Sequence, residues 1–337
     1  MDVSENNEVW YAVVNIFAAS KKAGSMWNRA AKKLDELSVP YVCGRTGEDG
    51  SAMNIAYVAC EQGYRRFAAV GGDGTVHDVL EGIMFFVENC TMTGVDVKLS
   101  DFTLAVIPLG SGNDWIKSAG IPSDLEKAAC LLADGRIARQ DVVKVSVLDA
   151  SYLPEERVLK VSYMANVGGI GLDARVCERV NREKCRGKRG KRLYVTALLY
   201  NIIHRVPSFA RVLCDGKQIF DGAFLSMAFG IGRYSGGGMR QTPGAVMDDG
   251  LLDMTIIPDL PLLTIAREAP KLFTGTFHTV KELVTSRSRE ILVIPYDEAM
   301  PCSYVQGEPA EVDGEVVGYS PVKFEVLDDQ LNILVSK

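Results

Sequence analysis

The sequence predicts two domains: an N-terminal α/β domain with a parallel sheet, then a C-terminal domain that is a mainly antiparallel β-sandwich. The first observation is length, since 337 residues exceed the usual size of one domain. The second is the alternation of strand-like and helix-like segments up to about Asp141, which favours a parallel sheet covered by helices. The third is that strand-like runs predominate after Asp141. We therefore expect one domain at residues 8–141 and another from residue 142 onward.

Each element of the first domain follows from the spacing of apolar residues. The predicted strands cover residues 9–17, 41–43, 67–70 and 104–107. The predicted helices cover residues 25–37, 51–61 and 76–88, and a short helix follows residue 115. Pro40 and Gly63 end the first two helices, because proline and glycine interrupt helical patterns.

The second domain combines many short strands with two helices. The predicted strands cover residues 142–148, 158–166, 208–214, 223–229, 251–257, 291–294 and 324–326. The predicted helices cover residues 174–182 and 193–204. Glycines and other turn residues between the runs are typical of antiparallel pairing. A last strand at residues 331–335 fits either domain on its pattern alone.

Composition and charge exclude several classes of function. The formal net charge is −6, so the molecule as a whole is not built to coat nucleic acid, and we expect no nucleic-acid partner. Only three histidines are present, which disfavours zinc catalysis with several histidine ligands. No apolar run approaches the ~18 residues of a membrane-spanning helix. The polar, acidic start does not resemble a signal peptide, and none of the eight cysteines forms a C-x-x-C pair, so we expect a cytoplasmic location.

A glycine-rich segment, G-G-D-G-T at residues 71–75, lies between a predicted strand and a predicted helix. Its glycines allow backbone amides to approach phosphate oxygens, and the helix that follows offers free N–H groups to an anion. Asp73 would hold Mg²⁺ through water or orient a catalytic group. The spacing is neither that of a P-loop nor G-x-G-x-x-G. A tight turn that happens to be rich in glycine is the alternative interpretation.

A second strand-end segment, P-L-G-S-G-N-D-W at residues 108–115, strengthens this hypothesis. Strand-end loops of neighbouring parallel strands face each other at the carboxyl edge of a sheet, where α/β proteins bind ligands. The alternative for Ser111, Asn113 and Asp114 is that they cap the short helix that follows.

Five segments together resemble the diacylglycerol kinase and sphingoid-base lipid kinase family of bacterial type. They are residues 71–83, 108–115 and 166–174 (N-V-G-G-I-G-L-D-A), the G-G-G-M to D-G-L-L-D stretch at 236–253, and V-D-G-E at 312–315. The resemblance spans residues 9–335. It implies a nucleotide domain like those of phosphofructokinase and NAD kinase. It also implies a returning C-terminal segment at about 323–337, which leaves residues 142–322 for a sandwich domain that binds the lipid.

The resemblance also implies site residues. Glu315 would be the general base and Asp73 a second catalytic residue, with Asp114 and Asp141 completing an acidic network. The ATP contacts would be Asn15, Thr46, Gly71, Gly72, Asp73, Gly74, Thr75, Val76, His77 and Ser111. A structural Mg²⁺ would be held by Asp249 and the backbone carbonyls of Val246 and Leu251. Two alternatives remain: Asp313-Gly314 is a strong hairpin signal, and Asp249 fits a solvated turn equally well.

The implied activity is transfer of the ATP γ-phosphate, assisted by Mg²⁺, to a primary hydroxyl of a lipid such as a diacylglycerol or a sphingoid base. A homodimer is common in this family. One alternative is an NAD kinase, which shares the G-G-D-G-T segment. Another is a nucleotide- or lipid-binding protein with a degraded site, prompted by N-I-F-A-A at residues 15–19 where the family has N-P-x-[SA]-G. His77 replaces a common asparagine and tilts the substrate towards sphingoid bases, although packing on the helix surface explains it better.

A basic segment at residues 182–192 stands out in this acidic protein. Lysine and arginine near anionic lipid contribute to membrane attraction, so we expect transient peripheral contact with a membrane there. A solvated loop is the alternative. The apolar helix that follows, at residues 193–203, is expected to pack in the core; the alternative is that it lines the cleft for the acyl chains.

Overall fold

The computed structural model describes residues 5–18, 23–47, 49–109, 113–186 and 191–337. The chain divides into two compact units, the first formed by Met1–Val142 with Leu327–Lys337 and the second by Val143–Val326. The segment that returns to the first unit thus begins at Leu327, slightly after the expected residue 323, because Val322–Val326 is a strand of the second unit's sheet.

The described residues of the first unit form a six-stranded sheet and five α-helices. Its strands are β1 (Trp10–Val14), β2 (Tyr41–Arg45), β3 (Arg66–Gly71), β4 (Thr103–Pro108), β5 (Arg136–Gln140) and β18 (Leu331–Val335). Its helices are α1 (Ala23–Glu36), α2 (Ala52–Glu61), α3 (Asp73–Met92), α4 (Trp115–Ala119) and α5 (Leu125–Asp134). The strand order is β2-β1-β3-β4-β18-β5, and every neighbouring pair except β18 with β5 is parallel.

The apolar runs explain the centre of this sheet. All six residues of β4 and the last five of β3 are buried, as expected for central strands covered on both faces. The ambiguous last strand, β18, pairs with β4 and β5 and therefore belongs to the first unit. Two elements escaped the sequence analysis, α5 and β5. The side chain of Asp124 caps the former by accepting from the amide of Lys127, a signal that was available in the sequence.

The second unit has twelve strands in one continuous, mainly antiparallel sheet that folds into a sandwich-like structure. They are β6 (Val143–Leu148), β7 (Val158–Met164), β8 (Val167–Gly171), β9 (Ser208–Cys214), β10 (Lys217–Gly230), β11 (Leu252–Pro258), β12 (Val284–Ser288), β13 (Glu290–Asp297), β14 (Met300–Tyr304), β15 (Pro309–Val312), β16 (Glu315–Tyr319) and β17 (Val322–Val326). The main path is β16-β15-β8-β10-β9-β13-β17-β6-β7, with β11, β12 and β14 at its sides. Its helices are α6 (Leu172–Cys185), α7 (Lys191–Ile203), α8 (Leu262–Glu268) and α9 (Lys271–Thr274).

Close backbone packing shapes the second unit. Strand β8 was not predicted, because its three glycines disfavour a strand on propensity alone. Tertiary contact explains them, since a Cβ atom on Gly168 would lie 2.8 Å from the backbone oxygen of Glu311. The two ends of the strand path also approach each other, because a Cβ atom on Gly318 would lie 3.0 Å from Val147. A core of buried aliphatic and aromatic residues fills the interior.

Helix α7 was expected to pack in the core, but it is buried only in part. Its Ala197 is buried, but Leu199 is 53% exposed and Ile203 is 65% exposed. Apolar residues occur on every side of this helix, but only one side packs against the core that includes α6. The apolar residues on the other side are therefore exposed. Among the described residues, no helix is both long enough and apolar enough to cross a membrane. Residues 187–190 of the basic segment lie outside the described ranges.

Candidate nucleotide and acceptor sites

The G-G-D-G-T segment is a strand-to-helix junction rather than an extended loop. Gly71 ends β3, Gly72 is the N-cap, and α3 begins at Asp73, three residues earlier than predicted. The predicted start was late because glycines within the first turn obscured the helical pattern. The amides of Thr75 and Val76 donate to the Gly72 carbonyl at 2.9 and 3.2 Å. The remaining amides of the first turn and the dipole of a 20-residue helix favour an anion here.

Glycine at position 71 is required by packing. A Cβ atom there would lie 2.1 Å from Thr75 Oγ1. Thr75 is itself held from the neighbouring strand end, because Asn15 Nδ2 donates to Thr75 Oγ1 at 3.0 Å. Asn15 Oδ1 accepts from the amide of Phe17 at 3.0 Å, and buried Thr46 accepts from the amide of Ile16 at 3.2 Å. The altered N-I-F-A-A segment thus still connects to the glycine-rich turn.

Asp73 joins two strand-end segments. Its carboxylate accepts the backbone N–H groups of Asp114 at 2.8 Å and Trp115 at 3.1 Å. It thereby caps α4, a role that the alternative interpretation had given to the side chains at 111, 113 and 114. The carboxylate of Asp114, only 3% exposed, instead accepts from Lys117 Nζ at 2.7 Å. Asp73 is consequently an anchor for the loop after β4.

Asn113 has a buried donor without a protein partner. The residue is 6% exposed, and its Nδ2 atom makes no hydrogen bond within the described part of the chain. A Cβ atom on Gly72 would lie 3.1 Å from Asn113 Oδ1, so this amide borders the helix N-terminus. A buried, unsatisfied donor is costly and calls for a ligand or water. Ser111, predicted beside it, lies outside the described residues.

Asp141 and His77 are also buried, at 1% and 6% exposure. Asp141 accepts from Gln330 Nε2 at 2.8 Å, a contact with the returning segment that no local pattern predicts. Trp115 Nε1 donates to Gln140 at 3.0 Å, which ties α4 to the end of β5. His77 Nε2 lies 3.7 Å from Glu81 Oε1, one helical turn on, and its burial agrees with the packing interpretation.

The D-G-E segment in the second unit forms a tight hairpin. Asp313 and Gly314 have φ values of +52° and +93°, as type I′ turns require, and they join β15 to β16. The Asp313 carboxylate accepts the amides at positions 165, 166 and 167 at 2.8–3.2 Å. Glu315, the predicted base, is the first residue of β16 and is exposed. The hairpin and an outward carboxylate therefore occur together.

Two carboxyls near this hairpin, one buried and one half-buried, were not predicted. Glu311 is 7% exposed and accepts the Gly314 amide at 2.7 Å; burial raises its pKa well above the usual range. Asp173 accepts from Ser226 Oγ at 3.0 Å and Gln241 Nε2 at 2.6 Å, and burial raises its pKa as well. Asp173 lies in the third family-like segment, but nothing in a single sequence marks Glu311 as buried.

Asp249, in the turn predicted to hold a structural metal, forms an ion pair with Arg287. Asp249 Oδ1 accepts the amide of Leu251 at 3.1 Å, and Asp249 Oδ2 accepts from Arg287, whose Nε also donates to Asp253 at 3.0 Å. The arginine supplies the positive charge that a cation would bring, so this carboxylate set does not fit a metal as it stands. The site at Val246, Asp249 and Leu251 remains an untested prediction.

Comparison with known proteins gives the family context. The profile of the diacylglycerol kinase catalytic domain matches residues 9–145, and that of the YegS C-terminal NAD kinase β-sandwich-like domain matches residues 166–335. A probable YegS-like lipid kinase of Stenotrophomonas maltophilia is 28% identical over 270 residues, covering 79% of each chain. A diacylglycerol kinase of Mycobacterium tuberculosis is 26% identical over 283 residues, covering 84% of each. The crystal structure of a diacylglycerol kinase from Bacillus anthracis aligns with a TM-score of 0.65 at 16% identity, over 98% of this chain and 97% of that one, which concerns the fold alone.

Proposed function

Because this chain belongs to the lipid kinase family that joins a diacylglycerol kinase catalytic domain to a YegS-type β-sandwich, we propose that it transfers the γ-phosphate of ATP to a primary hydroxyl of a lipid. The observation that carries the nucleotide half of this proposal is the unpartnered Nδ2 of buried Asn113 beside Gly72. A phosphate oxygen is the acceptor that would satisfy this donor.

The phosphates would lie at the N-terminus of α3. The helix dipole and the first-turn amides attract an anion, and Asn113 adds a side-chain donor. Gly71 and Gly72 carry no side chains that would obstruct the approach of a phosphate. Phosphoryl transfer depends mainly on positioning and charge neutralisation, which this rigid junction supports.

The acidic residues at the same junction fit Mg²⁺ that arrives with the nucleotide. When bound, Mg²⁺ neutralises phosphate charge and favours departure of the ADP oxygen. Asp73 and Asp114 would supply hard oxygen atoms of the kind that this ion prefers, Asp73 through water because its oxygens already accept two backbone amides, and Asp114 in exchange for Lys117. In the described residues no group of three or more His, Cys, Asp or Glu side chains is arranged to hold a metal. This agrees with an ion held largely by phosphates and water.

Glu315 would accept the proton of the lipid hydroxyl. An exposed carboxylate is accessible to a substrate, and general-base assistance suits attack by an alcohol. Asp313, anchored by three backbone amides, would fix the direction in which the hairpin presents Glu315. Diacylglycerol and sphingoid bases are the substrate classes to examine first.

The replacement Asn113→Ala tests the nucleotide site. Calorimetric titration with Mg·ATP should give affinity lower by roughly 10- to 100-fold, the effect of losing one hydrogen bond to a charged group. Thermal stability should fall little, because the lost donor has no hydrogen-bond partner among the residues that the structure describes.

Asn332→Ala is the matched control in the same unit, since Asn332 Nδ2 donates to the Ser100 carbonyl at 2.6 Å. It should reduce stability and leave ATP affinity unchanged. Unaltered ATP affinity in Asn113→Ala would contradict the proposed phosphate site.

A panel of dispersed lipids with labelled ATP tests the acceptor. We expect a phosphorylated lipid, identified by its mass. Phosphorylation of NAD in place of every lipid would contradict the proposed acceptor class.

A further inference from the structure

An exposed aliphatic surface lies at the C-terminal end of α7 in the second unit. We call it the α7 face and define it by Leu199, Ile203, Val206 and Leu263, which are 53%, 65%, 68% and 86% exposed. Single exposed apolar residues are ordinary, but a group of large ones marks an interaction site.

Local contacts bring these residues together. Leu199 and Ile203 are four positions apart on a helix and therefore share one side of it. Arg205, just beyond the helix, donates to Asp259 Oδ1 and the Leu260 carbonyl, each at 2.9 Å. This links the end of α7 to the segment that carries Leu263. The opposite side of α7 packs in the protein, since Ala197 is buried in the small core formed with α6.

A cavity rich in arginine borders the same helix. It encloses about 440 Å³ and is lined by arginines 175, 179 and 182 of α6 together with Tyr200 and Asn201 of α7. The Arg179 guanidinium stacks 3.7 Å from the Tyr200 ring centre and meets no carboxylate within salt-bridge distance in the described ranges. The cavity has only two acidic side chains, Glu178 and Glu308. It is a locally cationic spot on a chain whose net charge is −6.

We propose that the α7 face docks on an anionic lipid bilayer, with its aliphatic side chains in the interface and Arg179 on the phosphate of a lipid headgroup. Charge complementarity favours an anionic bilayer over other partners. The aliphatic residues match the acyl region of the membrane interface, and Arg179, which has no carboxylate partner in the described ranges, matches the anionic headgroups beside it. The inference rests on the proposed function only in that the acceptor is a lipid. It also explains why α7 is apolar on its exposed side.

Vesicle sedimentation tests the docking surface, using phosphatidylcholine vesicles with and without phosphatidylglycerol. The wild-type protein should bind the anionic vesicles. The double replacement Leu199→Ser with Ile203→Ser should bind them roughly ten-fold less tightly or worse, since two aliphatic anchors are lost. Arg179→Gln should lower binding several-fold on anionic vesicles and leave the weak binding to neutral vesicles unchanged.

Met92→Ser with Val95→Ser is the matched control, because these residues are 79% and 52% exposed in the first unit. It should bind vesicles like the wild type. Circular dichroism and ATP titration should show that all variants are folded and bind nucleotide. Equal binding by wild type and the α7 variants, or failure of the wild type to bind anionic vesicles, would overturn the proposal.

Oligomeric state separates docking on lipid from self-association. A dimer that the α7 replacements dissociate, with vesicle binding unchanged, would assign the face to a second copy and overturn the proposal. The expected pattern of vesicle binding in a protein that phosphorylates no lipid would instead contradict the proposed function and support the docking surface.

Discussion

Two turns can be compared, Gly71–Thr75 in the first unit and Asp313–Glu315 in the second. Both use an aspartate to hold backbone amides, but they leave different groups free to contact a ligand. Asp73 accepts two backbone amides at the start of α4, and Asp313 accepts three at the junction of β7 and β8. Each aspartate is thus an anchor between strand ends. The first turn leaves amides and the Asn113 donor for a ligand, whereas the second leaves the exposed carboxylate of Glu315.

This difference indicates that the first turn binds an anion and that the second turn presents a proton acceptor. Donors at a helix N-terminus bind anions, and an outward carboxylate accepts protons. Changes in the first turn should therefore affect folding and nucleotide binding together, because its groups are buried and interlocked. Changes at Glu315 should affect turnover alone.

The largest expected effect is that of Glu315→Gln. Loss of a general base should reduce turnover by about 10²- to 10⁴-fold in a lipid kinase assay, while calorimetric ATP affinity and melting temperature stay the same. Glu325→Gln, at another exposed position of the second unit, is the control and should retain full activity. Wild-type turnover in Glu315→Gln would remove the functional distinction between the two turns.

A smaller effect is expected from Gly71→Ala. Its Cβ atom would lie 2.1 Å from Thr75 Oγ1, and such overpacking typically costs about 1–3 kcal/mol of stability. ATP affinity should fall in parallel, as measured by chemical denaturation and calorimetry. In contrast, Gly24→Ala meets no atom within 4 Å in α1 and should stabilise the protein by about 0.5–1 kcal/mol. Equal stability of the two variants would contradict the claim that close packing between Gly71 and Thr75 holds the first turn together.

The smallest effect concerns pH and Glu311. Burial raises the pKa of this carboxyl in the folded protein, so its stabilising contribution is present at low pH and is lost as pH rises through the folded pKa. Glutamine does not ionise, so Glu311→Gln removes this loss of stability with rising pH, while its side-chain oxygen still accepts the amide of Gly314. The melting temperature of the variant relative to wild type should therefore increase between about pH 5 and pH 8. A difference in melting temperature that stays constant over this pH range would contradict the burial argument for Glu311.

Much of the first unit was predictable because its signals are local. Ser51 caps α2 by accepting the Asn54 amide, and the runs in β3 and β4 are continuous and apolar, so their positions follow from neighbouring residues. The second unit was harder. The glycine-rich strand β8 owes its state to pairing with the distant strands β10 and β15.

The amino-acid sequence alone determined the order of the elements, the kinase-like motifs and the Asp313-Gly314 hairpin, because each depends on residues a few positions apart. Only the tertiary structure decided that Asp73 caps α4 and that Glu311 is buried. It also decided that one side of α7 is exposed. Those outcomes depend on contacts between residues far apart in the chain, whose free energies no local pattern encodes.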